Sequence, residues 1–162
     1  MQIKRKINDR LTIIKSLRFS YVSKQAHKHR YETTVGIGGN LGDVKRRFNH
    51  LFIELKKDKR VSLVRTALIL KNPPFGYVEQ DDFLNSIIIL RTSMTPHKFL
   101  NYLQHLEKKF GRKRSFKNAP RTLDLDMIFF NNRVINTPTL TLPHPFWSVR
   151  ESVVIPLSGL YV

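Results

Sequence analysis

The chain has 162 residues, 41% hydrophobic and 25% charged, which suits one soluble domain with a buried core. It has no cysteine, which excludes disulfides and thiolate metal sites, and no apolar run long enough to cross a bilayer. With 29 Lys+Arg against 12 Asp+Glu its net charge is +17, which predicts attraction to a polyanion: nucleic acid, anionic lipid or a nucleotide triphosphate.

In chain order, residues 1–33 carry nine Lys/Arg and only the acids Asp9 and Glu32. This start reads as a basic extension over residues 1–30, ahead of a domain over 31–162, in preference to an organelle transit peptide. Residues 11–22 have enough apolar content to fold back on the domain. Thr33 to Ile37 is a short strand entering the glycine run "GIGGN". That run has Leu41 where a dinucleotide fingerprint needs its third glycine, and no Gly-Lys-Ser/Thr follows. The glycines therefore read as a strand-to-helix turn needing positive φ.

A helix capped by Asp43 follows, with Val44, Phe48, Leu51, Phe52 and Leu55 at helical spacing. Residues 60–72 read as one strand, broken by "PPFG" at 73–76. The Ile87–Leu90 run is apolar throughout, as in a central strand. A second helix has Thr95 as cap, Pro96 in its first turn, an apolar stripe of Phe99, Leu103, Leu106 and Phe110, and Gly111 as its stop. Then come the strand "TLDLDMIFF", the turn "NNRVIN", and a tail of proline turns with a short helix. The order β-α-β-β-α-β predicts an α+β, ferredoxin-like sandwich with a C-terminal extension, two helices on one face of the sheet and the other face free for a site.

Strand alternation puts Asp124 and Asp126 on one face, roughly 6.6–7 Å apart. Leu123, Leu125, Met127 and Phe129 then take the opposite face, toward the helices. Two like charges on a half-buried sheet repel, and a divalent cation relieves that repulsion. The spacing alone equally allows two solvent-facing aspartates in surface ion pairs. The neighbouring segment, residues 107–121, carries seven Lys/Arg and one acid and enters the strand at Arg121. Cations beside a metal-binding carboxylate pair suit a polyphosphate, and this adjacency favours the metal reading. His144 stands between Pro143 and Pro145, as a ring held in place.

Taken together, "GIGGNLGD", "NPPFG…DDFLN", "LQHLEKKFGRKR", "PRTLDLDMIFF", "VINTPTLTLPHP" and Arg150 resemble the 6-hydroxymethyl-7,8-dihydropterin pyrophosphokinase family of folate biosynthesis. The resemblance runs in family order over about residues 33–157. It implies transfer of pyrophosphate from ATP to the pterin hydroxymethyl group, with release of AMP. By the same resemblance, Asp124 and Asp126 bind two Mg²⁺ ions and, with Arg112, Arg114 and Arg121, form the catalytic set. Gln104, Glu107, Arg112, Arg114, Arg121, Met127, Thr141, His144 and Arg150 correspond to ATP-binding positions. Asn40, Pro73, Pro74, Phe75, Phe83 and Asn85 correspond to the pterin pocket, where Asp124 also meets the substrate.

The chain departs from the family pattern in places. A tryptophan of the 111–121 loop is absent, leaving Phe116 or Asn118 to take its space, and Ser152 stands where the family has an aromatic. The implied partners are ATP and the pterin, with no nucleic acid and no membrane, for a cytoplasmic monomer. An RNA-binding module of the same fold order and a two-metal nuclease or phosphatase are the competing readings. Residues 39–43, 71–82 and 111–120 are expected to be mobile loops that cover the site once ATP binds.

Overall fold

Alternating apolar residues and two amphipathic helices build the fold, which a computed structural model describes over residues 1–161. The strands are β1 (Ile3–Lys6), β2 (Thr12–Lys15), β3 (Tyr31–Gly39), β4 (Val61–Thr66), β5 (Ile69–Asn72), β6 (Phe83–Thr92), β7 (Asp124–Phe130), β8 (Ile135–Asn136) and β9 (Thr141–Leu142). Helix α1 (Val44–Lys57) follows β3, α2 (Pro96–Lys109) follows β6, and α3 (Glu151–Ser158) closes the chain after a single 3₁₀ turn at Trp147–Val149. The predicted α+β, ferredoxin-like order is thus present, as β3-α1-β4-β6-α2-β7 with β5 beside β4.

Each helix starts where the sequence marks it. Asp43 accepts a hydrogen bond from the Arg46 amide at 3.1 Å and so satisfies one of the free donors of α1. Thr95 holds the N-cap position of α2 without a side-chain bond, and Pro96 supplies the preset φ of the first turn. Gly111, at φ +85°, turns the chain away after α2.

One seven-stranded sheet runs β1-β2-β5-β6-β3-β7, with β4 also on β6, and every pairing is antiparallel. Central β6 lies along β3 on one side and along β4 and then β5 on the other. Helices α1 and α2 cover one face. Val35, Ile37, Phe48, Leu51, Leu90, Phe99, Leu103, Leu123, Leu125 and Phe130 are buried in that core.

The structure corrects four expectations. Residues 60–72 form two strands, because the ladder breaks at Ala67–Leu68. There Ser86 Oγ lies 3.2 Å from the Ala67 carbonyl and 2.9 Å from that of Leu68, compensating the lost pairing. The second sheet face is only partly free. Helix α3 lies on it, burying Val153 with Ala67, Ile87, Ile89 and Ile128, and so confines the open region to one end.

Phe129 does not face the helices. The register moves from Val35↔Met127 to Thr34↔Phe129, so Ile128 is the extra residue of a β-bulge. Beyond it the alternation inverts: Phe129 packs edge-on against Trp147 at 5.1 Å, and Phe130 turns into the helix-side core. Finally, Gly36, Gly38 and Gly39 lie inside β3, and of the "GIGGNLG" glycines only Gly42 has positive φ, +68°.

The N-terminal residues join the same sheet. Hairpin β1–β2 pairs through β2 with β5, and Phe19 is buried against Phe48 with ring centroids 5.6 Å apart.

Candidate active site

Strand β7 presents Asp124 opposite Gly38 and Asp126 opposite Gly36. Cross-strand partners point to the same face, so two glycines beside two aspartates leave a floor without side chains. Over that floor lies a cavity of about 340 Å³, walled by Phe75, Phe83, Asn72, Asn85 and Ser152. A second cavity of about 460 Å³ adjoins it, lined by residues 112–121 together with His144. The two share Lys117, Asn118, Arg121, Asp124, Asp126 and Arg150, so the aspartates stand in the common wall.

The glycine run owes its composition to this packing. A Cβ on Gly38 would lie 2.4 Å from Asn85 Oδ1, and one on Gly39 2.5 Å from the Thr122 carbonyl oxygen. Asn85 in turn donates to Asn72 Oδ1 at 2.7 Å, while Asn72 donates to the Pro73 carbonyl at 2.9 Å. This chain of amides fixes the orientation of the Asn85 side chain and leaves its Oδ1 as an acceptor.

The carboxylates differ sharply in their surroundings. Arg112 donates to Asp124 Oδ1 at 2.5 Å, and Arg121 to Oδ2 at 3.2 Å. Asp126 receives no hydrogen bond to its carboxylate among the described residues. Burial, then the negative charges of Asp124 and Glu107, push its pKa up to about 7 against the pull of Arg150 and Arg112. Glu107 lies beneath, 4% exposed, and accepts from the Leu125 amide at 2.8 Å. Its carboxyl is raised mainly by burial, while that amide, Arg112 and Arg114 work the other way. His144 is held below the ordinary histidine range by burial and then by the Arg150 charge. Its Nδ1 accepts from the Phe146 amide at 3.1 Å.

These groups fit a hard divalent cation. A carboxylate with no protein partner, its charge disfavoured by burial and by acidic neighbours, is what such an ion relieves. No group of three or more His, Asp or Glu side chains among the described residues could hold the ion alone. The remaining ligands would have to be phosphate oxygens and water.

Most of the sequence-predicted residues converge here. Arg112, Arg114, Arg121, Asp124, Asp126, His144 and Arg150 line the second, cation-rich cavity, and Phe75, Phe83 and Asn85 line the first. Asn40 lies behind the site, buried, with Oδ1 accepting from the Arg121 amide at 3.0 Å. Glu107 supports Arg112 and Arg114 from below, at 3.7 and 3.4 Å. The Met127 side chain is in the helix-side core, on the face opposite the aspartates. Gln104 on α2, Thr141 on β9, Pro73 and Pro74 line neither cavity.

Sequence reasoning missed Asn72, Lys117 and the glycine floor as wall residues. Asn72 carried a signal, since an asparagine directly before two prolines has its amide free to cap the turn.

The comparisons agree with this geometry. A family described as 7,8-dihydro-6-hydroxymethylpterin-pyrophosphokinase (HPPK) matches residues 34–161. The 2-amino-4-hydroxy-6-hydroxymethyldihydropteridine pyrophosphokinase of Campylobacter jejuni is 38% identical over 143 residues, covering 88% of this chain and 91% of its own. The Helicobacter pylori protein of the same name is 41% identical over 126 residues, covering 76% of this chain and 77% of its own. That of Bacillus subtilis is 33% identical, covering 78% and 75%. The match takes in both cavities and every strand from β4 onward, so the chain belongs to the HPPK family.

Proposed function

We propose that this chain transfers the β,γ-pyrophosphoryl group of ATP to the hydroxymethyl oxygen of 6-hydroxymethyl-7,8-dihydropterin, releasing AMP, in folate biosynthesis. The observation that carries this reading is the meeting of two cavities at one carboxylate pair. A cation-lined cavity suits a triphosphate, and an aromatic- and amide-walled one suits a flat polar heterocycle.

In the reaction the pterin oxygen forms a bond to the β-phosphorus. The bond from that phosphorus to the α,β-bridging oxygen breaks, AMP leaves with that oxygen, and the hydroxyl gives up its proton. The substrate brings its own nucleophile, so no serine or cysteine is needed. Positioning and charge neutralisation provide the acceleration.

Arg112, Arg114, Arg121 and Arg150 neutralise the phosphates, with Lys117 at the junction of the two cavities. Phe83 and Phe75 flank the ring, and Asn85 Oδ1 accepts from its N–H edge. Two Mg²⁺ ions, held by Asp124 and Asp126, supply charge neutralisation and activation of the hydroxyl when bound. His144 completes the nucleotide side with Glu107 behind its arginines, and Asn40 backs the pterin side. The family correspondence also assigns Gln104, Met127 and Thr141 to the nucleotide and Pro73 and Pro74 to the pterin, Met127 through its main chain because its side chain is in the core.

The enzyme works as a cytoplasmic monomer, with the catalytic residues within 31–162 and residues 1–30 as a basic extension that joins the same sheet and core. No helix among the described residues is long and apolar enough to cross a membrane. An RNA-binding role draws no support from the relatives, and paired aspartates repel a phosphate backbone unless a cation intervenes.

Product analysis tests the proposal. ATP and the hydroxymethyl-dihydropterin should give AMP and a pterin pyrophosphate in equal amounts. Formation of ADP, or nucleotide turnover indifferent to the pterin, would contradict it.

A further inference from the structure

A groove of about 660 Å³ opens where the N-terminal hairpin meets α1, and it shares no residue with either cavity of the site. Its floor is Ile14 of β2 and Ile69 of β5, 4% and 3% exposed. Leu17 stands at its rim, 81% exposed, in the turn that follows β2. That turn is closed. The Ser16 amide donates to the Phe19 carbonyl at 2.8 Å, the Phe19 amide donates to Ser16 Oγ at 3.1 Å, and the Phe19 ring is buried. Leu17 and Arg18 are therefore held out at a fixed place. Arg18, Lys45 and Arg46 also line the groove, and none of them makes an ion pair among the described residues. The one acid of the lining, Asp43, already accepts from the Arg46 amide as the cap of α1.

We propose that this groove docks an acidic segment of a partner protein, which seats a large apolar side chain against Ile14, Ile69 and Leu17 and sets carboxylates against Arg18, Lys45 and Arg46. Covering Leu17 removes apolar area from water, and an apolar anchor in a pocket with charges at its rim is how such contacts gain both strength and selectivity. With +17 on each chain, a second copy is repelled from this face. Nucleic acid would meet the cations, but the lining has no aromatic ring on which a base stacks, and an apolar floor offers phosphates nothing. A bilayer is flat and reaches Leu17 without reaching Ile14 and Ile69 at the bottom. Beyond Ile14 the groove continues into one lined by Lys4 and Lys71 but also by Asp81 and Asp82, so the acidic part of the partner is confined to the end beside Arg18.

Fluorescence anisotropy tests this on the full chain, with a labelled octapeptide of glutamates interrupted by leucines and an all-glutamate octapeptide as the control for charge alone. The leucine peptide should bind at least about tenfold more tightly than the control, as burial of one leucine provides. Leu17→Ser should weaken the leucine peptide by about tenfold and change the control by less than about twofold. Lys45→Glu combined with Arg46→Glu should weaken both peptides and flatten their salt dependence. All three positions are exposed and outside the catalytic set, so both variants should keep wild-type AMP release and melt within about 2 °C of the wild type.

Equal binding of the two peptides, or a leucine-peptide affinity indifferent to Leu17→Ser, would reduce the groove to general charge attraction and overturn the inference. So would the absence of saturable binding up to about 1 mM. A uridine octanucleotide or phosphatidylserine vesicles bound more tightly than the leucine peptide, and released in the Lys45→Glu, Arg46→Glu variant, would overturn it in favour of that class of partner.

Discussion

Arg112 and Asp124 form the shortest ion pair of the site, at 2.5 Å, and the same guanidinium reaches the Leu123 carbonyl at 3.2 Å and Glu107 at 3.7 Å. One part-buried cation therefore holds two carboxylates and the entrance to β7. Arg112→Ala leaves both carboxylates short of a partner. We expect kcat/KM to fall by about 10²–10³, and stability by about 1–3 kcal/mol in urea denaturation. Arg112→Lys should recover part of the stability and little of the activity, because the shorter lysine does not carry its ammonium to the Nη1 position from which all three oxygens are reached.

Asp126 predicts a pH dependence. Its folded pKa, about 7, lies above the ordinary value of 3.8, so between those limits the native state binds more protons than the unfolded one. The resulting stability is fully present below about pH 4 and is lost as pH rises through about 7. Asp126→Asn removes that loss. With chelator present, its Tm should exceed that of the wild type by a few degrees (about 2–4 °C per kcal/mol) at pH 8 and match it at pH 4. The same substitution should abolish AMP formation. Equal melting temperatures at pH 8 would show that Asp126 is better solvated than its surroundings indicate.

Two neighbouring glycines should fail differently. Gly38→Ala pushes on the far end of a side chain, Asn85 Oδ1, so the protein folds while the pterin KM rises by about tenfold or more, as expected when a buried polar contact is misaligned. Gly39→Ala pushes on the Thr122 carbonyl, which is backbone, and should cost about 1–3 kcal/mol of stability. Steady-state kinetics and thermal melts on the pair separate the two effects.

The N-terminal segment contributes to the core through Phe19, which is 1% exposed and packs on Phe48. Phe19→Ala should destabilise the protein by about 3–5 kcal/mol, measured by denaturant unfolding. A charge-reversed Lys6→Glu, on the fully exposed strand β1, should change stability by less than about 0.5 kcal/mol.

Local patterns carried much of this fold into the sequence. The two-residue period of "LDLD" sets Asp124 and Asp126 on one face, and helical spacing with Asp43, Thr95 and Gly111 as boundaries marks both long helices. What escaped depended on contacts distant in sequence. The inversion at Phe129 needs the register against Thr34 and Val35, which the strand's own residues do not encode. The glycines of β3 look like a turn until Asn85 and the Thr122 carbonyl are seen pressing on them. The cover provided by α3 was hidden because "ESVVIPLS" is apolar without a clear stripe and contains Pro156. At the site, the basic run before β7 announced a polyphosphate. That Arg112 and Arg121 close on Asp124 while Asp126 goes without a protein partner follows only from the folded loop.

The most direct measurement is Mg²⁺-dependent AMP release by purified protein, with and without 6-hydroxymethyl-7,8-dihydropterin, for wild type and Asp124→Ala side by side. AMP is expected only with the pterin present, in step with pterin pyrophosphate, with a loss of about 10³ or more in the variant. AMP release at the wild-type rate by Asp124→Ala, or release without the pterin, would contradict it.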